Sequence, residues 1–519
     1  MADRPAFSVI VLSLSLTLLL AGCGRPQVPA ILVPAPWVGD AAIGAGQVQV
    51  ISPETPTGHP ILALFPPTPQ AGTPFPSPTA DIGREAPTLR AEADSYIVRP
   101  GDSLNQIAGR FGVSSALIAA ENGLINGDFL AVGQLLVIPP QTPRPSGPSD
   151  KLLPDSELVD GPPSALFDTA GVVASHSGYL HSYHETVEGQ DMTGAQIVTL
   201  VAERYSVAPA TLLAMLELQS GWLRQSPPTT TAATYPLGYI RVGWEGLYNQ
   251  LSWAADNLNQ GYYRWRAGWA GPFVLQDGAS ILPGQGINAG TAAVEFLLAQ
   301  LYGEADWRRL ATNGFEQLYT ELFGNPFTRS VEPLVPADLK QPPMQLPIES
   351  GKTWSYTGGP HSAWGTYAAW AALDFAPPGN ALGCVFSDEW VTAVADGVVV
   401  RTGDGDVIED LDGDGLEQTG WVVLYMHVES RERVAPGTHL HAGDRMGHPS
   451  CEGGVSNGTH LHLARKYNGE WISADGRVPF DLDGWISAGT GTEYDGTLAR
   501  NGVTLIACSC RNDENQVAR

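Results

Sequence analysis

The sequence predicts a multidomain chain: a small βααβ module, a mostly α-helical middle domain and an all-β C-terminal domain, strung behind an apolar leader and a tether. Three observations predict this. At 519 residues the chain is too long for one ordinary domain. Breaker-rich stretches, PPTPQAGTPFPSPTA, PPQTPRPSGPSDK and LVPADLKQPPMQLP, divide it. Between them the apolar spacing changes from helical, as in Ile197, Leu200, Val201 and then Leu212, Leu213, Leu216, to short β-prone runs such as WVTAVADGVVVRTG and GWVVLYMHV. The boundaries read as a leader 1–22, a Pro-rich tether 23–94, the βααβ module 95–140, a linker 141–164, the helical domain 165–335, a linker 336–350, the β domain 351–491 and a tail 492–519. With 28 Lys+Arg against 54 Asp+Glu the net charge is -26, which repels phosphate backbones and excludes nucleic acid as a partner.

In the leader, an apolar run follows Arg4 and is short for a membrane span, as in a secretory signal. It ends in Leu20-Ala21-Gly22-Cys23, which resembles a bacterial lipoprotein signal. The resemblance implies that Cys23 carries lipid and that the chain is exported and anchored to the outer face of a bacterial membrane. Cys384, Cys451, Cys508 and Cys510 would then sit outside the cytoplasm, where disulfides persist. Cys508 and Cys510 would close a very tight ring, so Cys384 with Cys451 is the preferred pair.

In the first module Tyr96 and Val98 alternate as in a strand, and Asp102 or Ser103 can cap a helix carrying Leu104, Ile107, Ala108 and Phe111 on one face. Ser114 can cap a second helix, and residues 135–138 close the module as a strand. Its GDSL, FGVS and GQ-L-IP landmarks resemble the LysM domain, which implies binding to N-acetylglucosamine-containing glycan.

The middle domain reads as helix, turn at 206–209, helix. The stretch VAERYSVAPATLLAMLELQSGW resembles the entry to the catalytic helix of lysozyme-like lytic transglycosylases, where a glutamate precedes the serine. Gln219 stands at that position. An amide cannot protonate a glycosidic oxygen, and Glu217 lies about 200° around the helix, so the domain is expected to be non-catalytic. His176, His181 and His184 read as loop histidines.

Seven of the eleven histidines fall between His361 and His462, which points to a site. The landmarks GGPH ending at His361, ALDF containing Asp374, TAVADGVVV, YMH ending at His427 and GTHLH ending at His462 resemble, in order, the lysostaphin-like and beta-lytic zinc endopeptidases. The resemblance implies an antiparallel all-β peptidase domain with His361, Asp374 and His462 as zinc ligands, and three protein ligands leave one position open for water. It makes His427 and His460 the catalytic pair that orients and deprotonates that water. His460 and His462, two apart on a strand, face the same side. The wide spacing from His361 to Asp374 matches the beta-lytic branch, and the aromatics of the inserted SAWGTYAAWA loop are expected to wall the cleft.

His439-Leu440-His441 repeats the ligand tripeptide, and by spacing alone the two copies are nearly equal candidates; the family pattern selects the second. His448 reads as structural or cleft-lining. Asp410, Asp412 and Asp414, followed by Gly415, alternate oxygens that could hold calcium, but Trp421 at the twelfth position cannot ligate, and a solvated hairpin tip is the preferred reading. The function expected is hydrolysis of stem or bridge peptides in peptidoglycan. The alternative is a non-enzymatic envelope lipoprotein that regulates other wall hydrolases; five filled site positions argue against it.

Overall fold

The computed structural model describes residues 90–519 apart from 100–101, 125–129, 141–145 and 270. The leader, Cys23 and nearly all of the tether lie outside the described residues. Among those described, no helix is long and apolar enough to cross a membrane.

The first module pairs the strand Asp94–Ile97 antiparallel with Leu135–Ile138, with helices Leu104–Phe111 and Ser115–Glu121 between them. Of the two possible caps Ser103 is the one used: its Oγ accepts from Gln106 N while the Gln106 side chain accepts from Ser103 N. Ser114 caps the second helix. Ile107, Ile118, Leu136 and Ile138 are fully buried between the layers.

In the helical domain Thr193 and Gln196 form a capping box that starts the helix Gly194–Tyr205. Ser206, at φ 52°, turns the chain, and Pro209 opens the helix Pro209–Ser220 in the first turn, where a missing N–H costs nothing. The helix Leu247–Arg266 packs against this pair, and Ala289–Leu301 packs in turn against Leu247–Arg266. Residues 146–164 are not a linker. They contain the helix Asp155–Leu158, and Leu152, Leu153 and Leu158 are fully buried in the helical core.

The C-terminal domain is built on an antiparallel sheet ordered His439–Leu440, Gly397–Thr402, Asp406–Asp410, Trp421–Met426, Leu461–Tyr467, Ala372–Ala376, Thr353–His361, Gln516–Ala518. Two boundaries read from sequence are corrected. Leu346 and Ile348, assigned to a linker, are fully buried in the core of this domain. Residues 492–519, assigned to a tail, supply the edge strand Gln516–Ala518 with its buried Val517. They also supply Gly496–Arg500 and Val503–Ile506, which complete a four-stranded second sheet. Cys384 and Cys451 form the expected disulfide, 67 residues apart. Cys508 and Cys510 are also joined, against the tight-ring expectation; their Cα atoms, 5.0 Å apart, lie within the ordinary disulfide range.

The helical and β domains share polar contacts. Tyr262 donates to Glu470, Arg266 pairs with the same carboxylate at 2.9 Å, and Tyr263 Oη accepts from Trp471 N. Arg401 is bonded to Asp406 and Glu417 and lies 3.5 Å from Glu203 of the helical domain.

Candidate metal centre

Three neighbouring strands bring the predicted ligands together. Strand register sets His462 opposite Asp374 and Met426 opposite His462, while His361 ends the next strand over, opposite Ala372. Irregular pairing near Gly358 turns that strand end inward. Gly358 leaves the space this needs, since a Cβ there would stand 2.5 Å from Asp374 Oδ2.

His361 Nε2 lies 3.0 Å from His462 Nδ1 and 3.2 Å from Asp374 Oδ1, and His462 Nδ1 lies 3.3 Å from the same oxygen. The outer nitrogens fix the tautomers. His361 Nδ1 faces Gly359 O at 2.8 Å and His462 Nε2 faces Ala363 O at 3.0 Å. A carbonyl only accepts, so both outer nitrogens carry the proton and both inner nitrogens present lone pairs. Asp374 Oδ1 is buried without a hydrogen-bond partner. Two lone pairs and an unsatisfied carboxylate oxygen converging in a buried pocket repel one another unless a cation neutralises them. Bonds of about 2.0–2.2 Å at tetrahedral angles would set zinc ligand atoms about 3.3–3.6 Å apart, close to the spacing here. The donor set therefore fits zinc.

Beside this trio stand His427 and His460, their ring centres 4.5 Å apart. His427 Nδ1 donates to Glu452 O and His460 Nδ1 to Gly458 O, which leaves each Nε2 free; that of His460 lies 3.7 Å from Asp374 Oδ1. The His427 backbone adopts φ 66°, uncommon for a residue with a side chain, and is held there by bonds from Ser450 N and Oγ to its carbonyl. Burial is the largest influence on the titration of His427, His462, His361 and Asp374. It pushes His462 down, and together with the nearby His460 and His462 it takes His427 down to about 3. For His361 the Asp374 carboxylate outweighs burial and the net shift is upward. For Asp374 the upward push of burial is outweighed by the imidazoles, above all His361, and the carboxyl stays well below its usual range.

The other candidates are placed elsewhere. His439 and His441 are exposed. His448 is buried, bonded to Glu389 O and Glu432 and packed on Trp390. Asp410, Asp412 and Asp414 do cluster, but their oxygens accept from Asp412 N, Gly415 N, Asp414 N, Leu416 N and Thr419 Oγ1, as braces of the hairpin tip, and this gives calcium no support. In the helical domain Gln219 donates to Tyr302 Oη, and Glu217 accepts from Leu223 N and Arg224 Nε. Sequence reasoning missed Tyr494, whose ring stacks on His361 at 4.2 Å from an unusual φ of 68°. A lone aromatic in a supposed tail carries no periodic signal.

Family models match two regions of the chain: the LysM domain at residues 96–139, and the N-terminal domain of LasA at residues 151–337. The second covers the helical domain. Protease LasA of Pseudomonas aeruginosa is 27% identical over 291 residues in one strain and over 293 in another, covering 52% of this chain and 66% of each relative. The match thus spans just under two thirds of those relatives. Among solved structures, the deep-sea M23 metalloprotease pseudoalterin is 25% identical, with a TM-score of 0.27 over 33% of this chain and 96% of that one. A zinc-containing peptidase from Vibrio cholerae is 17% identical, with a TM-score of 0.20 over 27% of this chain and 41% of that one. The chain thus carries a LysM domain and a LasA N-terminal domain, and over about half its length it is similar to protease LasA.

Proposed function

We propose that the chain is a zinc metalloendopeptidase that hydrolyses peptide bonds of peptidoglycan. The observation that carries this reading is the buried trio of His361, Asp374 and His462, whose inner lone pairs and unsatisfied Asp374 oxygen face one point. His361 and His462 would hold zinc through Nε2 and Nδ1, and Asp374 through Oδ1. A zinc ion there supplies Lewis-acid polarisation of the scissile carbonyl and activates water at neutral pH. The chain's own residues do the rest. Burial keeps His427 neutral, so its Nε2 can accept the proton released as water attacks and then pass it to the departing amine. His460, on the same side, orients the water, and either imidazole when protonated can donate to the oxyanion that develops on the carbonyl oxygen.

The rest of the chain delivers substrate. The LysM module would hold glycan while stem or bridge peptides enter the site. The helical domain acts as a non-catalytic support: Gln219 is an amide, and Glu217 is occupied with the end of its own helix. Lipid on Cys23 would tether the protein to the outer face of a bacterial membrane, and the Cys384–Cys451 disulfide supports an oxidising compartment. The deciding experiment is metal analysis of the full chain beside a muropeptide digestion. One zinc per chain with new peptide ends supports the proposal, and zinc-free, inert protein would return the regulator alternative.

A further inference from the structure

The inserted loop at residues 362–371 belongs to the β domain but is held from the helical domain. Asp256, on the helix Leu247–Arg266, accepts from Thr366 N and Tyr367 N, each at 3.0 Å through the same Oδ1. The fit leaves no room for a side chain at Gly365, where φ is 64° and a Cβ would lie 2.8 Å from both Asp256 Oδ1 and the Tyr205 ring. Next along the loop, Trp364 stands under the Arg204 guanidinium at 5.5 Å and edge-on to Tyr205. Ala363 and Ala368 are buried in a cluster that Tyr263 of the helical domain packs against. The loop closes on itself through Ala363 N to Ala369 O at 3.0 Å, and Ala363 O accepts from His462 Nε2.

We propose that Asp256 is a positioning residue for the metal centre: from the helical domain it pins loop 362–371, and the pinned Ala363 carbonyl sets the tautomer and ring angle of His462. The inference rests on the zinc reading above. The partner of a ligand's outer N–H governs metal affinity, and its loss costs about 10–100-fold. Asp256 acts one link further out, so its effect lies at the low end.

The test uses the full chain, with zinc affinity measured by competition against a chromophoric chelator and the site geometry followed by visible absorption of the cobalt-substituted protein. Asp256→Ala should weaken zinc roughly tenfold and shift the cobalt bands. Asp256→Asn, whose amide oxygen can accept the same two N–H groups, should stay close to wild type. A lowered melting temperature with unchanged zinc affinity and cobalt spectrum would make Asp256 a structural residue only and overturn the proposal. Should Asp256→Ala fail to fold, Trp364→Leu decides, because it removes the Arg204 and Tyr205 contacts while leaving every ligand in place: weakened zinc supports the proposal and wild-type affinity overturns it. A wild-type chain that binds neither metal fails the zinc reading and this inference with it, whereas zinc bound alike by wild type and both variants fails this inference alone.

Discussion

His-Leu-His occurs twice in this chain, at 439–441 and 460–462, and identical tripeptides meet opposite surroundings. The first lies at the edge of the main sheet, where His441 is 86% exposed and stands 3.7 Å from Asp396, itself 75% exposed. The second leads into a strand with partners on both sides, and its two imidazoles turn toward a buried carboxylate. Carboxylates repeat the contrast. Glu217 is buried but both its oxygens are satisfied by its own helix end, whereas Asp374 Oδ1 has no donor. A buried polar group whose needs the fold meets is part of the scaffold, and one whose needs are left open marks where a ligand belongs.

The comparison breaks most sharply on the two tripeptides. His462→Ala should leave the dialysed protein without zinc and without hydrolytic activity, while His441→Ala should match wild type in both. Zinc content by atomic emission decides, and loss from the His441 variant with retention in the His462 variant would reverse the assignment. A smaller effect separates ligand from catalyst within the second cluster. His427→Ala should keep its zinc yet slow muropeptide hydrolysis by about 10²–10⁴-fold, as expected when a proton acceptor is removed. If the metal is lost as well, His427 belongs among the ligands. The smallest effect concerns the satisfied carboxylate. Glu217→Gln should cost about 1–3 kcal/mol in urea unfolding, because it weakens a buried charge-assisted bond, and leave peptide hydrolysis unchanged. Glycan cleavage by the wild type that this substitution abolishes would make Glu217 a catalyst and undo the contrast.

Much of the fold was legible locally. The caps Ser103 and Ser114, the turn at Ser206 and the helices around it follow from neighbours in the chain. Long-range pairing was not. Nothing near residues 516–518 announces an edge strand, because its partner begins at Thr353 and three residues carry too little alternation to register. Leu152, Leu153, Leu346 and Ile348 sit among prolines, and composition there reads as a linker although the side chains are buried. Tyr494 reaches His361 only because the second sheet returns beside the first.

By itself the sequence determined which residue types are available: two imidazoles and a carboxylate at family-like spacing, two more imidazoles beside them, and an amide where a glycosidase would need an acid. Those are matters of chemical identity, carried by each residue wherever it lies. The tertiary structure alone decided which nitrogen of each ring is free, and that a loop braced by Asp256 holds the carbonyl behind His462. Those depend on strand register and on hydrogen-bond partners, some of them about a hundred residues apart as Ala363 is from His462, and local periodicity carries no information about either.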